Sequence, residues 1–373
     1  AQPEMVPDVA PDQADSEAAA VPADPFDAEV EATLAEVPAQ EGEATEEPLE
    51  ATPERPTRRA RAAIVVRNDP GAVLAALILA RERRSIEAFW VCPQEGLLDL
   101  LKGRATDVGE NADLLLIGFT AEPVARETIE AAEVFRDRLQ WFDHHVWPIE
   151  DLERLRDAVG RDSIFIVDEG AGPLAAVSQV TERRNRFTTK LLDLSAGRLP
   201  EKDMERWGFR VAGLIKRLAE SAADGRPDIG PVLSGKPSEL PDAPSVYEAE
   251  ARWLEENDPR VVHFGEYQMV VAVVPDKLDA GEVARRLRLQ TGSRLSLSVS
   301  DGGSVAMLAC NEEKRHFNVV GLLERVASRI SWAHAKDGAD RAGRIALDEL
   351  TLHPERFELL IGQIVRNKSL LHG

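Results

Sequence analysis

The chain has 373 residues, a net charge of −21, seven histidines and only two cysteines, Cys92 and Cys310. That length accommodates about two domains, and two distant cysteines exclude a disulfide framework and a cysteine-based zinc site. No run approaches the roughly 18–20 apolar residues a membrane span requires. The start lacks the basic-then-apolar order of a secretory signal, and the expectation is a cytoplasmic protein.

The negative charge is uneven. Residues 1–56 hold sixteen Asp or Glu against one basic residue, Arg55. This stretch is rich in Ala, Pro and Glu and poor in large apolar side chains. It cannot bury enough surface to offset its ordering entropy and is predicted to be a disordered acidic tail. Within it Phe26, Val30, Leu34 and Val37 recur at helical spacing. Two explanations stay open: a helix that docks into a protein partner's groove, or a chance pattern in a solubilising tail.

From residue 62 short apolar runs alternate with helical stretches. "AAIVVR" reads as a strand and "GAVLAALILARERR" as the helix after it. "EAFWVC" and "EGLLDLLKG" follow, then "ADLLLIGF" and "AEPVARETIEAAEVFRDR", then "LQWF" and "PIEDLERLRDAV", then "SIFIV" and "GPLAAVSQVTERR". Continuous apolar strands spaced by helices predict a parallel sheet covered on both faces, a doubly wound α/β domain over residues 62–223. Residues 224–244 are dense in Pro and Gly and are predicted to be a linker. Beyond it, over 245–373, "YQMVVAVV", "RLSLSVS" and "SVAMLAC" read as strands, and "AGEVARRLRLQ" and "FNVVGLLERVASRI" as helices. A smaller α/β domain with a mixed sheet is expected there.

Two of the seven histidines stand together in "WFDHHVWP", residues 141–148. Asp143-His144-His145 falls where a strand ends and a helix begins, the edge at which open α/β sheets place their ligands. Two interpretations are open for the tripeptide. Asp143 caps the following turn with a histidine beneath Trp147, or the cluster holds a metal ion.

Asp-His-His at that place, after three strand–helix pairs and ahead of a smaller C-terminal domain, resembles the DHH phosphoesterase superfamily. Its members include RecJ-like exonucleases, oligoribonucleases, cyclic dinucleotide phosphodiesterases and inorganic pyrophosphatases. "SWAHAKDGADRAGRIAL" adds to the likeness: His334 precedes Ala342-Gly343 and a strand, similar to the glycine-rich loop of DHH-associated domains. The resemblance implies two divalent ions, usually Mn²⁺, held by aspartates on separate loops and a histidine of the motif. Oxygen and imidazole ligands suit that ion, and paired ions generate a hydroxide and clamp phosphate oxygens. On this basis Asp143, His144 and Asp69 are candidate metal ligands, and His145 and His334 candidate substrate contacts. Substrate would lie in the cleft between the domains, and a homodimer is a further implication.

This chain departs from the family pattern. An Asp-x-Asp-Gly loop is expected after the first strand, but in "RNDPGAVLAA" matching Gly71 puts Asn68 and Pro70 at the aspartate positions. Asp69 is left out of register. The second motif expects an aspartate ending a strand, and "DLLLIGFT" offers Gly118 and Phe119, with Asp113 at the opposite end. Ser331, Trp332 and Ala333 replace the phosphate-gripping glycines. The favoured expectation is a degenerate relative that binds one metal ion weakly or none, serving as a nucleic-acid-binding or protein-interaction module. The alternative is an active Mn²⁺-dependent phosphodiesterase on short or single-stranded nucleic acid. In "TERRNRFTTK", Arg183, Arg184 and Arg186 could follow a nucleic-acid or nucleotide phosphate backbone or form an ordinary charged helix face.

Overall fold

The computed structural model describes residues 61–371 apart from 168–171, 182–185, 222–226, 301–304, 311–317, 340–341 and 348–352. The acidic tail with Phe26, Val30, Leu34 and Val37 lies outside the described residues, as do Arg183 and Arg184.

Strands β1 (Arg61–Arg67), β2 (Ser85–Cys92), β3 (Ala112–Ile117), β4 (Leu139–Asp143) and β5 (Ile164–Ile166) form a parallel sheet in the order β2-β1-β3-β4-β5. The period-2 alternation of β1 feeds two cores. Ala62, Ile64 and Val66 enter one with α1 (Pro70–Ala80), while Ala63 and Val65 enter the other. That second core is closed by α2 (Leu97–Lys102), α3 (Ala125–Glu133) and α4 (Ile149–Val159). Because both faces are covered, residues 62–66 have no exposed surface at all, which is why β1 reads as a continuous apolar run.

Helix α1 is apolar on every side, as an enclosed helix must be. It lies between the sheet and α5 (Pro173–Ser178), α6 (Arg186–Ser195) and α8 (Phe209–Glu220), and residues 72–80 are all buried. The predicted helix over 71–84 ends early, at Ala80. Arg81 caps it, and its guanidinium donates to the carbonyls of Val232 and Leu233 while stacking on Phe187 at 4.5 Å. Those carbonyls belong to α9 (Gly230–Leu233), inside the Pro- and Gly-rich stretch expected to link two domains. Ile229, Val232 and Leu240 of that stretch are buried in the first core. Its described part is therefore packed.

The second sheet is mixed, in the order β10-β11-β9-β8-β7-β6. Its strands are β6 (Arg260–Phe264), β7 (Tyr267–Val274), β8 (Leu295–Ser300), β9 (Val305–Cys310), β10 (Ala333–Ala339) and β11 (Ala342–Leu347). Only β7 and β8 pair in parallel. Helices α12 (Val319–Ala327) and α13 (Pro354–Arg366) close one face of it. Helix α11 (Ala280–Thr291) closes the other, with Leu254 of α10 (Glu248–Glu256).

The two sheets meet where the end of α6 touches the start of α11. Gly197, at φ +62°, brings its backbone so close that a Cβ there would lie 1.8 Å from the Gly281 carbonyl oxygen. Arg288, 3% exposed, donates to the Gly197 carbonyl and to the Ser296 hydroxyl. Burial lowers its pKa to about 10. Arg285 forks onto Glu282 and reaches Glu201 of α7 (Glu201–Asp203). Buried arginines whose forks are occupied lock geometry more than they add stability. Gly197→Ala must push these backbones apart. It should lower unfolding free energy by at least about 2 kcal/mol in urea denaturation, with Gly230→Ala as a surface control.

Candidate functional site

The strand order places the switch in winding direction between β1 and β3, so a ligand crevice is expected over the carboxyl ends of these strands. Arg67 ends β1, Gly118 follows β3 and Asp143 ends β4. His144, His145 and Trp147 come next, before α4. Among the described residues, Asp143, His144 and His145 are the one grouping close enough to hold an ion, with candidate ligand atoms within 4.8 Å of one another.

The hydrogen bonds decide what that grouping can do. Asp143 has no exposed surface, so its carboxylate must find donors inside the protein. The Trp147 indole N–H donates to Oδ2 at 2.7 Å, and His145 Nδ1 lies 2.6 Å from Oδ1. On the far side of the ring, Arg67 Nη1 is 2.7 Å from Nε2. A guanidinium has no acceptor, so Nε2 is the unprotonated nitrogen and Nδ1–H donates to Asp143. Both carboxylate oxygens and both ring nitrogens are thus engaged. Trp147 is held in turn by an edge-to-face contact with Trp141, centroids 5.6 Å apart.

His144 is different. Its ring lies 4.1 Å from that of His145, its Nδ1 is 3.7 Å from Asp143 Oδ1, and that buried nitrogen has no hydrogen-bond partner. Burial, then the neighbouring His145, lower its pKa from 6.5 to about 4, against the opposing pull of Asp143 and Asp69. It is neutral at physiological pH.

Asp69, expected as a ligand, spends its carboxylate on the helix. It is the N-cap of α1, accepting from the Ala72 amide at 2.8 Å, the ordinary use of an aspartate before a proline-initiated helix. Phe119 turns away from the crevice: it is fully buried in the second core, and its carbonyl accepts from the Trp141 indole at 2.7 Å. Asp113 pairs with buried Arg83 at 3.0 Å at the opposite edge of the sheet, as its place at the head of β3 requires. His334, expected in a loop, lies in strand β10, where its backbone pairs with Ala346 of β11. Arg186 opens α6 and is exposed, and Lys190 on the same helix is matched by Asp203 at 2.8 Å.

A pair of divalent ions does not fit these residues. Such ions take several anionic or imidazole ligands each. Here the grouping offers a single carboxylate, each oxygen of which already accepts a hydrogen bond, and an arginine occupies the His145 nitrogen that would coordinate. The residue that sequence reasoning missed is Arg67. Its only signal is a charged residue ending an otherwise apolar strand.

No protein-family model matches the sequence, and no curated protein matches it. The solved structures similar to it include DHH-domain proteins at low identity. The DHH domain of a member of a ribosomal-protein family is 14% identical, with a TM-score of 0.39 over 84% of this chain and 88% of that one. The pGpG-specific phosphodiesterase PggH from Vibrio cholerae is 11% identical, with a TM-score of 0.33 over 83% and 99% of the two chains. RecJ from Thermus thermophilus, in complex with Mn²⁺, is 13% identical, with a TM-score of 0.31 over 83% and 52%.

Trp147→Phe keeps an aromatic ring and removes the donor, leaving Asp143 Oδ2 buried without a partner. The expected loss is about 1–3 kcal/mol in urea denaturation. His144 gives a pH signature. Because its folded pKa lies below its unfolded value, the stability it contributes is present above about pH 6.5 and is lost as pH falls towards 4. The change is on the order of 2 kcal/mol, and unfolding of His144→Asn measured at pH 7 and pH 5 should lack it.

Proposed function

We propose that this chain is a relative of the DHH phosphoesterases that does not hydrolyse phosphodiesters and acts by binding, with nucleic acid or a nucleotide as the ligand class to test first. The observation that carries this reading is that the one ion-sized grouping among the described residues holds a single carboxylate, Asp143, already accepting from His145 and Trp147, where two-metal hydrolysis requires several. Loss of a metal-bridging carboxylate removes several kcal/mol of transition-state stabilisation. Asn68, Pro70 and Gly118 stand where the resemblance expects three of them, and none has an anionic side chain. The change of winding direction between β1 and β3 supports a ligand over the carboxyl ends of these strands. A protein partner for the acidic tail, and a homodimer, are compatible with this reading and belong to the same class of function.

The test is incubation of the full chain with a short single-stranded RNA, a single-stranded DNA and a linear dinucleotide, each with Mn²⁺. No mononucleotide should be released, by the chain or by Asp143→Ala. Mn²⁺-dependent release that Asp143→Ala abolishes would overturn the reading in favour of an active phosphodiesterase. Fluorescence anisotropy of a labelled oligonucleotide measures binding. If nucleic acid is the ligand, affinity should fall steeply with salt and drop about tenfold or more when Arg183, Arg184 and Arg186 are reversed to Glu. Salt-insensitive or absent binding would move the search to protein partners.

A further inference from the structure

We infer that Arg67 is the resident cation of the Asp-His-His centre: its guanidinium occupies the nitrogen of His145 that an ion would need, and it excludes divalent metals from the site. The inference rests on the reading that no metal pair works here and adds the residue responsible. Arg67 Nη1 lies 2.7 Å from His145 Nε2. Arginine only donates, so the lone pair on that nitrogen, which a metal would take, is already used.

Charge gives a second reason. Asp143 is buried without exposed surface, and a buried carboxylate needs compensation as well as hydrogen bonds. His145 donates to it from one edge and accepts from Arg67 at the other, so the ring couples the guanidinium to the carboxylate. A divalent ion entering beside Arg67 would meet a fixed positive charge.

The backbone makes room for this arrangement. Gly118 ends the intervening strand at φ +81°, and a Cβ there would lie 3.5 Å from the Arg67 Cβ and 3.0 Å from the Ala72 Cβ. A side chain at 118 would press on Ala72 and stand in contact with Arg67. Whatever ligand lies over these strand ends meets a permanent monocation and does not depend on a bound divalent ion.

The experiment uses the full chain after dialysis against EDTA, titrated calorimetrically with Mn²⁺ and separately with Zn²⁺, with thermal unfolding in parallel. The wild-type chain should show no site that Asp143→Asn removes, and no rise in Tm. Arg67→Ala should lose stability, gain a site at least about tenfold tighter than wild type, and recover Tm when the ion is added. Arg67→Lys, which keeps the charge, should gain no site. A wild-type site abolished by Asp143→Asn, or an Arg67→Ala chain that gains no affinity, would overturn the inference. Should Arg67→Ala not fold, long-range ¹H–¹⁵N spectra of wild type decide. His145 should keep its proton on Nδ1, and a Zn²⁺-induced shift at Nε2 would sink the proposal. These outcomes separate from those for hydrolysis. An inactive chain whose Arg67→Ala variant stays blind to metal refutes the role of Arg67 alone.

Discussion

A carboxylate with no access to water organises the top of the first sheet. Asp143 is carried to the end of β4 by a strand whose Leu139, Trp141 and Phe142 belong to the two cores, so it cannot withdraw without undoing them. Once buried, it must be met by donors, and the Trp147 indole and the His145 ring supply them. Trp147 can do so only because Trp141 fixes it from below, and His145 can do so only because Arg67 holds its other nitrogen. The chain of dependence runs from Arg67 on β1 through His145 and Asp143 on β4 to the tryptophan pair. It staples two strands that are not neighbours in the sheet.

This network uses the same residue types that a metal centre would use, and engages the Asp143 carboxylate and the His145 imidazole in hydrogen bonds instead. Carboxylate and imidazole are both good ligands and good hydrogen-bond partners, and which role they take is decided by what else reaches them. Here an arginine arrives first. His144 shows the cost of the arrangement. Packed against His145 with an unpartnered nitrogen, it is kept neutral because protonation would place a second positive charge among buried groups.

The C-terminal sheet is joined to the first through equally specific contacts. Gly197 and Gly281 let two backbones approach where no side chain would fit, and Arg285 and Arg288 spend their donors across the junction on Glu201 and on the Gly197 carbonyl. On the opposite side of the first core, Arg81 gathers the carbonyls of Val232 and Leu233. A stretch rich in proline and glycine is thereby packed, because the apolar residues scattered through it are enough to anchor it.

The architecture was legible in the residues because hydrophobic period is a local property: the strands of the first sheet and the helices between them follow from runs of apolar residues bounded by breakers. The weaker elements were not. The half-exposed strand β6 has no clean alternation, and α13, although its Leu360, Ile361 and Ile364 recur at helical spacing, was not among the expected elements. Asp-His-His could be located at a strand end, and the carboxylates missing at Asn68, Pro70 and Gly118 could be counted. What the motif does could not be settled there, because both interpretations require the same residues in the same order. Folding alone brings Arg67, 78 residues away in the chain, across the space left by Gly118 to His145. Residue order is enough to say which ligands are absent. That a guanidinium stands in their place follows from β1 and β4 sharing one sheet on either side of β3, a long-range arrangement that no local pattern encodes.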